Sequence, residues 1–250
     1  MDLGIEGRVA LVMGGSAGIG LGIAEALARE GARVAIASRN AGRVEAARAS
    51  VPAIAFCAAA DSSEPGELPA LVDSVEAALG QVEILITNTG GPPRGSALAA
   101  DEDEWQRAYR SLVLAPRTLI ERCLPAMEER GWGRIVNVGS QSTIEPIAGL
   151  ALSNIHRMAT VGLFKTLATE VAASGVTVNT IATGSFLTDR QVEMHGSVEA
   201  AEEFARAHMP AGRMGTPAEF GDLAAFLASE RAAFITGSVV RIDGGALRSV

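Results

Sequence analysis

Four side chains with chemical potential fall close together in the sequence. Ser153, His156 and Arg157 occupy a five-residue stretch, and Ser140 lies thirteen residues before Ser153. A serine three positions from a histidine puts the two on neighbouring faces of a helical turn. Such a pair suits a nucleophile and its base, but no Asp is placed by the sequence to orient His156, and helix packing or an oligomer interface competes with that role. Arg157 stays charged and carries a planar fork of donors, which suits a carboxylate or a ribose hydroxyl. A second group sits at the start of the chain. Met13-Gly-Gly-Ser-Ala-Gly-Ile-Gly20 places Gly14, Gly18 and Gly20 in the pattern G-x-x-x-G-x-G, with Ser16 and Ile19 between them. Glycines let backbone approach a phosphate closely, and a following helix offers unpaired N–H groups and the positive end of its dipole. Tight strand-to-helix turns also need glycine, so position carries more weight here than composition.

These groups need elements to hold them. Apolar runs at Arg8–Met13, Arg33–Ser38, Ala53–Cys57, Glu83–Thr87, Arg134–Val138, Thr177–Ala182 and Ser238–Ile242 read as strands. Helical periodicity fills Ile19–Glu30, Ala41–Ser50, Glu67–Leu79, Glu104–Glu129, Leu152–Ala173 and Pro217–Ser229. Strands alternating with helices imply right-handed βαβ units. The expected fold is therefore α/β: a single-domain, Rossmann-type, doubly wound parallel sheet of about seven strands, with helices on both faces, over residues 1–250. Pro116 lies inside the fourth helical stretch and predicts a kink there. Ligands of such sheets bind at the carboxyl ends of the strands. The loop Thr89-Gly-Gly-Pro-Pro-Arg-Gly95 and the long insertion 184–209 both follow strands. The insertion reads as a substrate lid, with a surface helical excursion as the plainer alternative; Asp189, Glu193, His195 and His208 reach the pocket only if it closes.

The second strand ends Ser38-Arg39-Asn40 rather than in an acid. An acid there would bind the ribose 2′-hydroxyl of NAD, whereas Arg39 accommodates a 2′-phosphate. NADP(H) is expected over NAD(H), against the alternative of a solvated Arg.

The formal net charge of −8 disfavours a nucleic-acid partner. Cys57 and Cys123 are too far apart for a CxxC, so no metal set or disulfide framework is expected and a reducing, cytoplasmic setting fits. No apolar run reaches the roughly 18 residues of a membrane span, and the first run, Val9 to Met13, is too short for a signal peptide. Of the 21 basic residues one is a lysine, Lys165, and the chain has one tyrosine, Tyr109.

Taken together these blocks resemble the short-chain dehydrogenase/reductases, in particular the 3-oxoacyl-carrier-protein reductase kind. The resemblance runs from the glycine turn through Asp61, Thr87-Asn88-Thr89-Gly90, Gly133 to Ser140, Val176-Thr-Val-Asn179 with Thr183-Gly184, Gly212 to Glu219, Ile235-Thr-Gly237 and Asp243-Gly-Gly245. It covers residues 5–245. It implies that Asp61 touches adenine, that Asn88, Gly90 and Gly184 support the cofactor, and that Thr188 sits near the nicotinamide amide. It also implies an Asn-Ser-Tyr-Lys catalytic set. Here Ser140 matches the Ser, but Ser153 stands at the Tyr position, Arg157 at the Lys position and Leu112 at the Asn position. Tyr109 falls where the family has a core aromatic. A serine hydroxyl is a far weaker acid than a phenol, and Leu112 cannot anchor a relay water.

Three readings follow. One is an NADP(H)-dependent oxidoreductase in which a water, Ser140, Ser153 or a lid acid replaces the tyrosine. Another is a non-redox lyase, isomerase, cyclase or dehydratase on the same fold. The third is a catalytically silent, cofactor-binding subunit or sensor. The expected substrate is a small molecule, mainly apolar because Leu112, Ile144, Leu150 and Phe186 are expected to line the pocket, with an anionic group for Arg157. The resemblance also implies a homo-oligomer, dimer or tetramer. Glu145 is expected to pair with Arg157.

Overall fold

A computed structural model describes residues 1–249. Seven parallel strands form one sheet in the order β3-β2-β1-β4-β5-β6-β7. They are β1 Val9–Met13, β2 Arg33–Ser38, β3 Ile54–Ala59, β4 Ile84–Thr87, β5 Gly133–Val138, β6 Val176–Thr183 and β7 Val239–Ile242. All seven expected strands form, with ends shifted by two residues at most. The order reverses between β1 and β4. The connections leaving those strands part there and open a crevice at their carboxyl ends.

Because successive strand residues face opposite ways, the apolar runs supply two cores. Ala10, Val12, Ile84 and Ile86 pack on one face against helices α1 (Gly18–Arg29) and α9 (Pro217–Leu227), through Ile23, Leu27 and Phe220. Val9, Leu11, Met13 and Leu85 face the other way. They meet α3 (Leu68–Leu79), α5 (Ala115–Arg130) and α6 (Ala151–Val171), through Val72, Leu119, Cys123 and Phe164. Helix α2 (Ala41–Ser50) begins at Asn40, whose side chain accepts from Arg43 N at 2.9 Å.

One expected helix is two. The stretch expected at Glu104–Glu129 divides into α4 (Glu102–Tyr109) and α5, joined by a wider π-helical turn over Arg110–Leu114. The cause is local. Pro116 has no N–H for the carbonyl four residues earlier, that of Leu112, and its ring crowds that carbonyl. The Thr160 hydroxyl on α6 donates to Leu112 O instead, at 2.6 Å. Pro116 therefore sits at the start of a helix rather than at a bend within one.

The insertion holds two helices, α7 (Asp189–His195) and α8 (Val198–His208). A small apolar cluster lies beside them, in which Ala201 and Ala205 of α8 are buried with Met209 and Met214 of the segment that follows. Among the described residues, no helix is long and apolar enough to cross a membrane.

Candidate active site

The crevice begins at the glycine turn. Gly14 has φ +62°, and a Cβ there would lie 2.7 Å from Asn88 Nδ2. A Cβ on Gly20 would lie 2.0 Å from Gly14 O. Side chains at these two positions would collide with Asn88 and with the turn's own backbone, so both glycines are required for the turn to close. Asn88, at the end of β4, holds the turn by donating from Nδ2 to Gly14 O at 3.4 Å. Gly18 opens α1, and Thr188 lies over it, with its Cγ2 3.1 Å from where a Cβ would stand.

Beyond the turn lies a cavity of about 240 Å³ whose wall includes Gly14, Ser16, Ser38, Arg39, Asn40 and Arg43. Ser38 Oγ donates to Ser16 Oγ at 2.8 Å, linking the end of β2 to the glycine turn. Two guanidinium groups enter this wall, and no carboxylate does. Arg43 was not singled out from the sequence. The available signal was its place in the first turn of α2, directly after the strand end that carries Ser38 and Arg39. Asp61 lies next door. Its Oδ1 accepts from Ser63 N at 2.8 Å, and with Arg39 it lines an adjoining cavity.

A second cavity of about 240 Å³ lies at the other end of the crevice. Its wall shares Asn88, Thr89 and Gly90 with the first, so the two form one groove across the carboxyl ends of β1 and β4. Here the structure brings Ser140, Ser153, Arg157, Ile19, Thr183 and Gly184 together. Ser140 Oγ accepts from Ser142 N at 3.1 Å, which fixes its lone pairs and leaves its proton for the cavity. Arg157 donates one of its N–H groups to Val138 O at 2.8 Å. Loss of water around it, reinforced by the nearby Arg190, lowers its pKa to about 10. It stays a cation at neutral pH.

Several expectations are corrected here. Glu145 does not pair with Arg157; its carboxylate accepts from Ser249 N at 2.7 Å, a bond that lowers its pKa. The cavity wall mixes polar side chains (Asn88, Ser140, Ser153, Arg157) with apolar ones (Ile19, Pro92, Val138). Leu150 lines it, but Leu112, Ile144 and Phe186 do not. Phe186 is buried against Phe220, with ring centroids 5.2 Å apart. Leu112 is buried beneath the π-turn.

His156 faces away from the chemistry. It is buried, its Nδ1–H donates to Leu152 O at 2.8 Å, and its ring meets Trp105 edge-on at 4.9 Å. Tyr109 packs near the same ring at 6.3 Å. Lys165 lies far from the groove and donates to Gly237 O. In the insertion, His195 and His208 flank Phe204 at 4.7 and 4.4 Å. Besides Gly184, the insertion contributes Arg190 to the cavity wall, a residue that sequence reasoning passed over.

A glycine turn at the strand-order reversal, a pocket with two arginines at the end of β2 and a serine–arginine chamber beyond Gly90 stand on a Rossmann-type fold. The comparisons with known proteins narrow that class. A family model described as enoyl-(acyl carrier protein) reductase matches residues 14–246. The 3-oxoacyl-[acyl-carrier-protein] reductase of Vibrio cholerae is 34% identical over 243 residues, covering 97% of this chain and 98% of the relative. The 2-(S)-hydroxypropyl-CoM dehydrogenase 3 of Xanthobacter autotrophicus is 34% identical over 247 residues, covering 96% and 97%. The crystal structure of L-sorbose reductase from Gluconobacter frateurii, complexed with NADPH and L-sorbose, superposes with a TM-score of 0.92 at 32% identity and full coverage of both chains. The chain belongs to the short-chain dehydrogenase/reductase family.

Proposed function

We propose that the chain is an NADP(H)-dependent oxidoreductase that interconverts a carbonyl and an alcohol by a proton route without tyrosine. The continuous groove carries this reading: two arginines at one end, and the serine–arginine chamber at the other. Gly14, Gly18, Ile19 and Gly20 would hold the pyrophosphate. Ser16, Ser38, Arg39 and Arg43 would hold the 2′-phosphate, and Asp61 would lie beside the adenine. Asn88, Gly90, Gly184 and Thr188 would support the nicotinamide half. NADPH and NADP occur in solved family structures of 3-oxoacyl reductase and sorbose reductase type, which favours the same cofactor here.

The nicotinamide, when bound, supplies or accepts the hydride. The protein's part is electrostatic. Ser140 Oγ–H and Ser153 Oγ–H donate to the substrate oxygen, and Arg157 stabilises the negative charge that grows on it. A fixed cation in a site shielded from water is worth far more than one in bulk solvent. Ser153 is the point at which the oxygen gains or loses its proton, exchanging it with water in the chamber. The insertion 184–209, which places Arg190 in the chamber wall, would be the substrate lid.

One observation favours a second reading, that of a silent cofactor-binding homologue. Thr160 already occupies the carbonyl of Leu112, so the position where the family anchors its relay water is closed.

A steady-state assay of NADPH consumption over a panel of ketones, aldehydes and oxo acids separates the two. The wild type should turn over at least one of them. Arg157→Gln should lower kcat about 10²–10³-fold, the usual effect of deleting one oxyanion-stabilising donor. Turnover by Ser153→Tyr/Arg157→Lys/Leu112→Asn and none by the wild type would establish the silent reading.

A further inference from the structure

The chamber holds an unbalanced pair of cations. Arg157 approaches from α6 and Arg190 from the first turn of α7, and both line the same cavity wall. No Asp or Glu lines it. Neither guanidinium takes part in a salt bridge among the described residues, whereas Arg8, Arg29, Arg117, Arg122, Arg206 and Arg213 all find carboxylates on this acidic protein. Arg157 spends one of five donors on Val138 O. Arg190 lies across the backbone of Gly91, where a Cβ would stand 2.6 Å from its Nη1. The missing side chain at Gly91 is what lets the guanidinium lie down towards the groove. Two like charges drawn into one small space repel each other. That cost is offset when an anion enters between them, and planar forks suit carboxylate oxygens in particular.

We propose that Arg190, with Arg157, forms a carboxylate-recognition subsite, and that the substrates of this enzyme are small oxo acids or hydroxy acids. The proposal rests on the functional reading above for the word substrate, though not for the binding itself. The 240 Å³ chamber must also admit the nicotinamide, so the acid is short. Arg190 is a specificity determinant: it orients the carboxylate, while Ser140 and Ser153 meet the reacting oxygen.

The test is a calorimetric titration of the full-length protein, with and without saturating NADP⁺. Its ligands are 2-oxo and 3-oxo monocarboxylates of two to six carbons, their methyl esters and inorganic sulfate. At least one acid should bind tenfold or more tightly than its ester and than sulfate. Arg190→Gln should abolish that preference, and Arg190→Lys should restore part of it. Gly91→Ala, which displaces the guanidinium without removing it, should weaken the acid as well. NADP⁺ affinity should change less than threefold in the Arg190 variants. Three results overturn the proposal: esters that bind as well as acids across the panel, an acid preference that survives Arg190→Gln, or sulfate that binds as tightly as the best acid. Acid binding by a protein that takes up no NADP⁺ would leave this subsite standing while the oxidoreductase reading falls.

Discussion

At the scale of single residues the site is defined by substitutions of charge and acidity. Ser153 stands where a phenol would donate, and Arg157 where an ammonium would, so the chamber keeps its positive charge but loses its weak acid. The opposite end of the groove rests on Arg39 and Arg43, which line the same cavity, whose own wall carries no carboxylate. A hydrogen bond to a charged group contributes about 1.5–3 kcal/mol, which is roughly a tenfold to hundredfold change in affinity. Arg39→Ala/Arg43→Ala should therefore weaken NADPH by at least tenfold in an equilibrium titration and leave NADH within threefold of the wild type. Arg39 was legible in the sequence because it ends a strand that the apolar pattern locates. Arg43 and Arg190 were not singled out, because nothing in a one-dimensional pattern says which of 20 arginines point at a shared space.

Among the elements, the junction of α4 and α5 departs most from expectation. The periodic stretch and Pro116 were both visible in the sequence. The π-turn was not, because the group that satisfies the displaced Leu112 carbonyl belongs to Thr160, 48 residues away. Thr160→Val keeps the shape and removes the donor. Leaving a buried carbonyl unpaired costs about 1–3 kcal/mol, so chemical denaturation should show a loss of that size. The entry to α9 makes a pH-dependent contribution. Thr216 and Glu219 form a reciprocal cap, and Arg213 donates to the Glu219 carboxylate at 2.9 Å. The hydrogen bonds from Arg213 come first, and those from Thr216 add to them. They lower the Glu219 pKa from 4.5 to about 2. A carboxylate held below its unfolded value stabilises the fold above that value and loses the contribution as pH falls through the folded one. The melting-temperature gap between wild type and Glu219→Gln should be widest near neutral pH. It should shrink between about pH 4.5 and pH 2, modestly in size because the pair is exposed.

For the whole molecule, the strand pattern was sufficient to anticipate a seven-stranded parallel sheet, since a doubly wound sheet leaves few other ways to bury such runs on both faces. The insertion was legible as a lid or a helical excursion, but not as two helices, of which α8 packs Ala201 and Ala205 into a small apolar cluster. The surface also carries information. Ile155 and Met158 on α6 are 41% and 54% exposed, and Tyr109 on α4 is 38% exposed. Exposed apolar residues on adjoining helices of an acidic surface suit contact with another protein surface, and the resemblance implies a second copy of this chain. Analytical ultracentrifugation should show a dimer or tetramer, and Ile155→Glu/Met158→Glu should shift it towards monomer without unfolding the chain.

The central claim is that one groove takes NADP(H) and presents it to the serine–arginine chamber. Calorimetric titration of the wild-type protein with NADPH and, separately, with NADH tests it most directly. NADPH should bind at least tenfold more tightly, with one site per chain. Equal affinity for the two nucleotides, or binding of neither, would contradict the account.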